Sequence, residues 1–423
     1  MLEAILDIRN VQRAFRQVTA NKGSAGTDGM QTEDLRSYLN AHWQTLRKTI
    51  LEGNYRPLAV RKVEIPKKSG GTRTLGIPTV VDRLVSQSIS QWLMPLCERE
   101  FSDKSYGFRP GRNAHQAVEQ ARAYLQEGYT WIIELDLEKF FDKVNHDKLM
   151  SALSLKIKDK ETLRLIRSYL KAGIMDKGLM RVRREGTPQG SPLSPLLSNI
   201  VLDKLDKELE KRGHRYVRYA DDCSIYVRSE KAAYRVMESI ISYIETKLKL
   251  KVNREKTKVS RPTSSSLLGF SFYWSSQWHI RLSPSTLESI KGKVRSCTRR
   301  NYSGSIMEII GNLESIIRGW VNYFKLAKAS SLLKKLDEMT RIRLRMILWK
   351  QWKKASRRMR ELQKLGVPKE EAYKWSYCRK GYCRVAHSKV LCVSLNNAYF
   401  SKLKYTGFAN YYHWKTKHQT KLF

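Results

Sequence analysis

Arg215-Tyr216-Val217-Arg218-Tyr219-Ala220-Asp221-Asp222-Cys223-Ser224-Ile225-Tyr226-Val227 decides the fold of this 423-residue chain. Segments of strand character flank Tyr219-Ala220-Asp221-Asp222. In the second, Ile225 and Val227 share one face while Ser224 and Tyr226 share the other, a period of two. A strand pair closing on two adjacent carboxylates leaves them exposed, where they can grip a divalent cation. Neighbouring aspartates repel each other and compete for protons, which argues against a buried structural use. Alone, the stretch also reads as an acidic hairpin turn, since Asp is a common turn residue.

The rest of the chain narrows the choice. Lys and Arg number 80 against 40 Asp and Glu, a net charge of +40. Such a field opposes folding and self-association unless a polyanion neutralises it, and nucleic acid is the partner that fits. A histone-like or ribosomal-type binder would share the charge, but not the 10 Trp and 21 Tyr. An anionic membrane surface would also match. However, no apolar run approaches the ~20 residues of a spanning helix, Met1-Leu2-Glu3-Ala4 lacks signal-peptide shape, and no membrane partner is expected. Cys97, Cys223, Cys297, Cys378, Cys383 and Cys392 are scattered without a Cys-x-x-Cys pair. Cys378, Cys383 and His387 form a loose cluster, and a reduced, cytosolic protein is expected.

In chain order, residues from about Leu2 to Leu51 read as helical around a polar loop, Asn21 to Gly29. Its glycines permit close backbone approach to a ligand, or simply a flexible turn. Val60 to Pro78 reads as a β-hairpin with a Gly70-Gly71 turn and a basic tip of Lys67, Lys68 and Arg73. A helix from about Asp82 to Glu98 offers Leu84, Ile89, Leu93 and Leu96 to a core. A basic loop, Gly107 to Arg112, leads to a helix over Ala114 to Gln126. Trp131 to Asp136 reads as a central strand, mostly apolar and buried on both faces. A carboxylate ending such a strand is costly unless it binds something, so Asp136 stands out from Glu138, Asp142 and Asp147. The turn Gly186 to Pro192 precedes a helix from Ser194 to Lys211. A helix from Glu230 to Leu248 and a short strand, Leu267 to Phe272, follow the acidic hairpin. This order describes an α+β sheet domain.

From about Ser283 the chain turns helical, with an amphipathic stripe running from Ile306 to Phe324. A further helix, Leu332 to about Trp352, carries Arg341, Arg343 and Arg345. Residues 341–423 hold 21 Lys and Arg, no Asp, three Glu and 14 aromatics. Basic residues interleaved with stacking rings suit structured or single-stranded RNA.

Asp136 joins Asp221 and Asp222 if strand and hairpin are neighbours in one sheet. Three carboxylates at one edge suit two Mg²⁺ ions, which prefer oxygen ligands and keep waters and substrate phosphates in their shell. Such ions, roughly 3.5–4 Å apart, activate an attacking 3′-hydroxyl and stabilise a leaving pyrophosphate. Lys67 and Arg73 would neutralise the triphosphate. Gly190 would let the backbone approach the nucleotide, and Gln189 would hydrogen-bond near it. The parts fit nucleotidyl transfer.

Several motifs, in order, resemble reverse transcriptases: Asp136 with Phe140-Phe141, Thr187-Pro188-Gln189-Gly190, Tyr219-Ala220-Asp221-Asp222 and Leu268-Gly269-Phe270. Around them, Asp28-Gly29, Val63-Glu64-Ile65-Pro66-Lys67, Leu75-Gly76-Ile77-Pro78, Ser105-Tyr106-Gly107-Phe108-Arg109-Pro110 and Gly319-Trp320-Val321-Asn322-Tyr323-Phe324 resemble bacterial group II intron reverse transcriptase/maturases. The likeness spans nearly the whole chain. It implies a right-hand polymerase, with fingers and an antiparallel palm sheet followed by an α-helical thumb and a basic helical C-terminal domain. The implied divisions are an N-terminal extension with a template-covering loop (1–55), fingers and palm (56–280), thumb or X domain (281–355) and a DNA-binding domain (356–423).

The resemblance makes Asp136, Asp221 and Asp222 catalytic ligands of two Mg²⁺ ions, with Mn²⁺ as a substitute. Lys67, Arg73, Phe141, Gln189 and Gly190 would form the deoxynucleotide pocket, Phe141 acting as steric gate against a ribose 2′-hydroxyl. Leu268, Gly269 and Phe270 would belong to the primer grip. Lys22, Gly23, Gly26, Arg109, Arg112, Arg341 and Arg345 would face template or intron RNA. The implied partners are an RNA template with a DNA or RNA primer, dNTPs, group II intron RNA and target DNA. The implied roles are cDNA synthesis, splicing and retrohoming in a bacterial cytoplasmic ribonucleoprotein near the nucleoid.

Two departures stand out. Ser191 replaces a second glycine common after Pro-Gln-Gly. The C-terminal His-Asn-His nuclease of many relatives is not seen before Phe423, as in the short IIC class. A maturase with a disused polymerase site, or a retron, diversity-generating or CRISPR-associated enzyme, would share parts of this pattern. The intact carboxylates and cations argue against the first. The long thumb and basic tail argue against the others.

Overall fold

A computed structural model describes residues 1–66, 70–176 and 178–419, in two compact units, Met1–Pro262 and Thr263–Phe423. The first opens with helices Leu2–Ile5, Ile8–Ala20 and Leu35–Leu51. Asp7 caps the second, accepting from the Arg9 amide at 2.9 Å, and Val11, Ala14 and Val18 form its buried stripe against the helix Val80–Glu98. Leu84, Ile89 and Leu93 of that helix are buried as expected, but Leu96 lies 39% exposed.

Two four-stranded sheets follow. The first joins β1 (Val60–Pro66), β2 (Thr72–Ile77), β4 (Ile174–Asp176) and β5 (Leu179–Arg181) in the order β2-β1-β4-β5. The expected hairpin forms, with Arg61 opposite Ile77 and Pro66 opposite Thr72. The β4–β5 hairpin, which pairs β4 in parallel with the start of β1, is unforeseen: three-residue strands are too short to show a period.

The second sheet has the order β6-β7-β3-β8, with β3 at Trp131–Leu135, β6 at Arg215–Tyr219, β7 at Asp222–Val227 and β8 at Lys258–Ser260. All its pairs are antiparallel. Ile133, Leu135, Cys223, Ile225 and Val227 share one core with Leu197, Ile200, Leu205 and Leu209 of the helix Ser194–Lys211. On the hairpin Tyr219 pairs with Asp222. Leu135 faces Cys223, so Asp136, one residue on, reaches the end of the sheet that carries Asp221 and Asp222. The helix beginning at Glu230 is α-helical to Tyr243 and closes in a π-turn, Ile244–Leu248.

In the second unit, β9 (Phe270–Ser275) and β10 (Gln277–Leu282) form an antiparallel hairpin. The strand expected from Leu267 starts at Phe270, because Leu268 and Gly269 turn the chain with φ of +53° and +84°. Helices Pro284–Cys297, Ile306–Phe324 and Ser330–Gln351 come next, then six shorter ones among the described residues, ending in Phe408–Gln419. The amphipathic stripe buries Ile309, Ile310, Leu313, Ile317 and Val321.

A carboxylate ties the last helix to this unit. Asp337 accepts from Tyr405 Oη at 2.9 Å, from the Phe408 amide at 2.7 Å and from the Ala409 amide at 2.8 Å. It thereby caps the open amides at the start of Phe408–Gln419. Asp337→Ala orphans these buried donors at about 1–3 kcal/mol each. Amide exchange across residues 408–417 should quicken by roughly tenfold or more while that of Ile306–Phe324 holds; unchanged exchange in residues 408–417 would contradict the role.

Candidate active site

One cleft of about 1470 Å³ in the first unit collects Asp136, Asp221, Asp222, Arg73, Phe141 and Gln189, with Asn253, Arg254 and Lys256 along its rim. A second cavity of about 430 Å³ shares Arg73, Leu75, Phe141 and Gln189 with it and adds Gly190. Five separate stretches of sequence, around Arg73, Asp136, Gln189, Asp221 and Asn253, thus meet in one cleft.

The acidic wall is the end of the β6-β7-β3 ladder. The Asp136 amide donates to Thr257 Oγ1 at 3.2 Å, its carbonyl accepts from the Asn253 amide at 2.8 Å, and its carboxylate lies 3.7 Å from Lys256 Nζ. Burial, followed by the charges of Asp221, Asp136 and Glu134, pushes the Asp222 carboxyl up to about 6. Asp221 is also raised, chiefly by burial, with Arg73 opposing and Asp136 adding to the shift. Asp222 is crowded by protein yet exposed to solvent, as a cleft wall requires. Among the described residues, no three Asp, Glu, His or Cys side chains converge closely enough to enclose an ion by themselves. An all-carboxylate oxygen set, open to solvent and only partly offset by Lys256 and Arg73, still suits a hard divalent cation that completes its shell with waters and phosphates.

The opposite wall is basic and polar. Arg73 Nε donates to Gln189 Oε1 at 2.7 Å, joining two expected nucleotide-pocket residues. The Gln189 carbonyl accepts from the Gly76 amide at 2.9 Å. Gly190, at φ +127°, sits where a Cβ would fall 2.7 Å from the Gly76 carbonyl oxygen. The missing Cβ thus lets β2 come close, while Gly190 still lines the smaller cavity. Phe141, 8% exposed, forms the floor; its carbonyl accepts from the Thr187 amide at 2.6 Å. Lys67 lies outside the described residues.

The remaining expectations divide. Leu268, Gly269 and Phe270 form a tight turn in the second unit. The Leu268 carbonyl accepts from Tyr323 Oη at 3.2 Å, the Gly269 carbonyl from Thr286 Oγ1 at 2.9 Å, and the Phe270 ring lies 5.1 Å from Phe324. Lys22 is exposed at φ +43°. A Cβ on Gly23 would strike Arg83 at 2.6 Å and one on Gly26 would strike Thr79 at 2.5 Å; these glycines let the loop lie on the protein. Arg109 is no free RNA-facing cation. It is buried, forks onto Glu98 at 2.7 Å and donates to the carbonyls of Ser102 and Ser105. Arg112 pairs with Asp103. Arg345 is buried with its Nε on the Leu395 carbonyl at 3.1 Å, whereas Arg341 stands half-buried near Asp337. Sequence reading passed over Asn253, Lys256 and Thr257; the basic run Arg254 to Lys258 was their only signal.

Residues 65–272 match the family described as reverse transcriptase (RNA-dependent DNA polymerase), and residues 287–366 match the maturase-specific domain of group II introns. The chain is 35% identical over 299 residues to Protein YkfC of Escherichia coli, covering 61% of this chain and 78% of YkfC. The chain belongs to the group II intron reverse transcriptases. This reverse transcriptase is also 29% identical to the group II intron-encoded protein LtrA of Lactococcus lactis, over 74% of its own length and 61% of LtrA's. A solved Cas6-RT-Cas1–Cas2 complex overlaps 58% of the reverse transcriptase at 25% identity, with a TM-score of 0.38. The polymerase domain class depends on divalent metal, and the two domains together imply binding of an RNA template and of intron RNA. No helix among the described residues is long and apolar enough to cross a membrane.

A carboxyl whose folded pKa lies above its unfolded value of about 3.9 lowers stability as pH rises from about 4 through about 6. Asp222→Asn should raise the melting temperature in EDTA at pH 8 by roughly a degree or two, a small gain because solvent screens the charge. The gain should vanish by about pH 4. A variant that melts lower than wild type at pH 8 would contradict the crowding.

Proposed function

We propose that this chain is an RNA-directed DNA polymerase that extends a DNA or RNA primer on an RNA template with dNTPs. We further propose that it binds its own intron RNA to promote splicing and retrohoming. The observation that carries the reading is the single cleft in which Asp136, Asp221 and Asp222 face Arg73 and Gln189 across Phe141. When bound, two Mg²⁺ ions, or Mn²⁺ in their place, supply activation of the primer 3′-hydroxyl and charge stabilisation of the leaving pyrophosphate. Asp136, Asp221 and Asp222, which line this cleft, would hold them as carboxylates.

Arg73 presents a guanidinium braced by Gln189, suited to the charge that shifts along a triphosphate during transfer. Lys67 joins it on sequence grounds. Phe141, fixed through its carbonyl to the Thr187 amide, offers a rigid ring where a 2′-hydroxyl would clash and a deoxyribose would fit. Leu268-Gly269-Phe270 would grip the primer. The division into an N-terminal extension (1–55), fingers and palm (56–280), thumb (281–355) and basic DNA-binding domain (356–423) completes the proposal, with target DNA as a further partner and the bacterial cytoplasm as its place. The charge excess of residues 341–423 supports binding to nucleic-acid backbones.

Oligo(dT) extension on poly(rA) with Mg²⁺ and dTTP tests this directly. Wild type should extend, and Asp221→Ala should lose on the order of 10³-fold or more in rate. Phe141→Ala should narrow the preference for dNTPs over rNTPs by roughly tenfold. A wild type that fails to extend would remove the polymerase assignment, and an unchanged preference would remove the gate.

A further inference from the structure

Behind the acidic wall lies an ion pair whose two side chains are wholly buried. Arg218 Nε donates to Asp206 Oδ1 at 2.7 Å and Nη2 to Asp206 Oδ2 at 2.5 Å. Such a pair is seldom more stabilising than apolar residues of equal volume, because desolvation offsets the attraction. Stability alone therefore gives a weak account of it. The remaining guanidinium nitrogen shows a second use: Nη1 donates to the Ala220 carbonyl at 2.9 Å and to Asn199 Oδ1 at 3.0 Å.

Ala220 is the first residue of the two-residue catalytic turn and has φ +58°. A left-handed conformation is costly for a non-glycine residue and persists where its surroundings over-determine it. Three elements converge on it. Arg218 holds its carbonyl from below. The Lys104–Gly107 segment runs beside β6, with the Tyr106 amide on the Arg218 carbonyl at 2.8 Å and the Arg218 amide on the Lys104 carbonyl at 2.9 Å. This brings Gly107 against the turn so closely that a Cβ there would overlap the Ala220 amide nitrogen and lie 3.0 Å from the Tyr219 carbonyl carbon and 3.1 Å from Ala220 Cα. Asn199 links the two, its Nδ2 donating to the Gly107 carbonyl at 2.9 Å while its Oδ1 accepts from Arg218.

Asn199 and Asp206 stand seven residues apart, two turns along the helix Ser194–Lys211. That helix begins just beyond Gln189, and Ser194 Oγ ties back to the Pro188 carbonyl at 2.7 Å. One rigid rod thus connects the polar wall to the underside of the acidic turn.

We infer that Arg218, Asn199 and Gly107 are positioning residues that fix the Ala220–Asp221 backbone and so set the pose of the Asp221 and Asp222 carboxylates toward divalent cations. The rate readout rests on the polymerase reading; the cation readout does not. Asn199→Ala keeps the Arg218–Asp206 pair and removes the link to Gly107. Gly107→Ala pushes on the turn and touches no buried charge.

Mn²⁺ binding followed by electron paramagnetic resonance, single-turnover extension rate, primer–template affinity and melting temperature are measured on the full chain. Asn199→Ala should fold, bind Mn²⁺ at least fivefold more weakly and extend at least tenfold more slowly. Its duplex affinity should stay within twofold of wild type, and excess Mn²⁺ should recover part of the rate. Gly107→Ala should show the same signature. A folded Asn199→Ala with wild-type Mn²⁺ affinity overturns the proposal; should that variant not fold, Mn²⁺ affinity of Gly107→Ala decides in the same way. Unfolding of both assigns these residues to stability alone and overturns it as well. Weakened Mn²⁺ binding in the variants of a wild type that does not extend primers would support the positioning role while removing the polymerase reading.

Discussion

Three carboxylates at one end of a sheet repel one another, and the fold must hold them there against that repulsion. Backbone pairing does most of the holding. The β6–β7 register sets Tyr219 opposite Asp222, and the β7–β3 register sets Leu135 opposite Cys223, so neither strand can slip without turning its side chains to the wrong face. The residual conflict appears in the Asp222 carboxyl, raised to about 6 by burial and by its acidic neighbours. Such a site attracts cations, because a divalent ion offsets the repulsion among its carboxylates.

The facing wall is assembled by the same economy. Main-chain bonds join the cleft's parts: Gly76 to Gln189, and Phe141 to Thr187. Side chains are thereby left for chemistry. Arg73 reaches Gln189 from a strand that pairs antiparallel with β1, and β1 in turn pairs with β4. The short β4–β5 hairpin therefore matters to the nucleotide side although it carries none of the cleft's named residues.

Much of this was legible in the residues. Alternation marked β7, the Gly70-Gly71 turn marked the β1–β2 hairpin, and a carboxylate ending an apolar strand marked Asp136. What could not be read was the local destination of charges and glycines. Arg109 looks like any loop cation, yet Glu98, eleven residues earlier, and two carbonyls consume its donors. Arg345 lies on a basic helix but spends its Nε on the Leu395 carbonyl, 50 residues away. The loop glycines suit a ligand or a flexible turn and Gly190 suits a nucleotide, yet Gly26 and Gly190 each also make room for backbone, at Thr79 and Gly76. Sequence shows that a backbone must come close; only the fold shows to what. Arg218, read as one more strand residue, gave no sign that Asp206 would bury beside it.

The central claim is that this acidic end of the palm sheet is where divalent cations sit during nucleotide addition. The most direct test is a crystal structure with a primer–template, a chain-terminating dideoxynucleotide triphosphate and Mn²⁺, read at the manganese absorption edge. Anomalous peaks within roughly 2.0–2.4 Å of carboxylate oxygens of Asp136, Asp221 and Asp222, with the triphosphate on the Arg73 side, are the predicted result. Manganese bound elsewhere on the chain, with these three carboxylates bare, would contradict it.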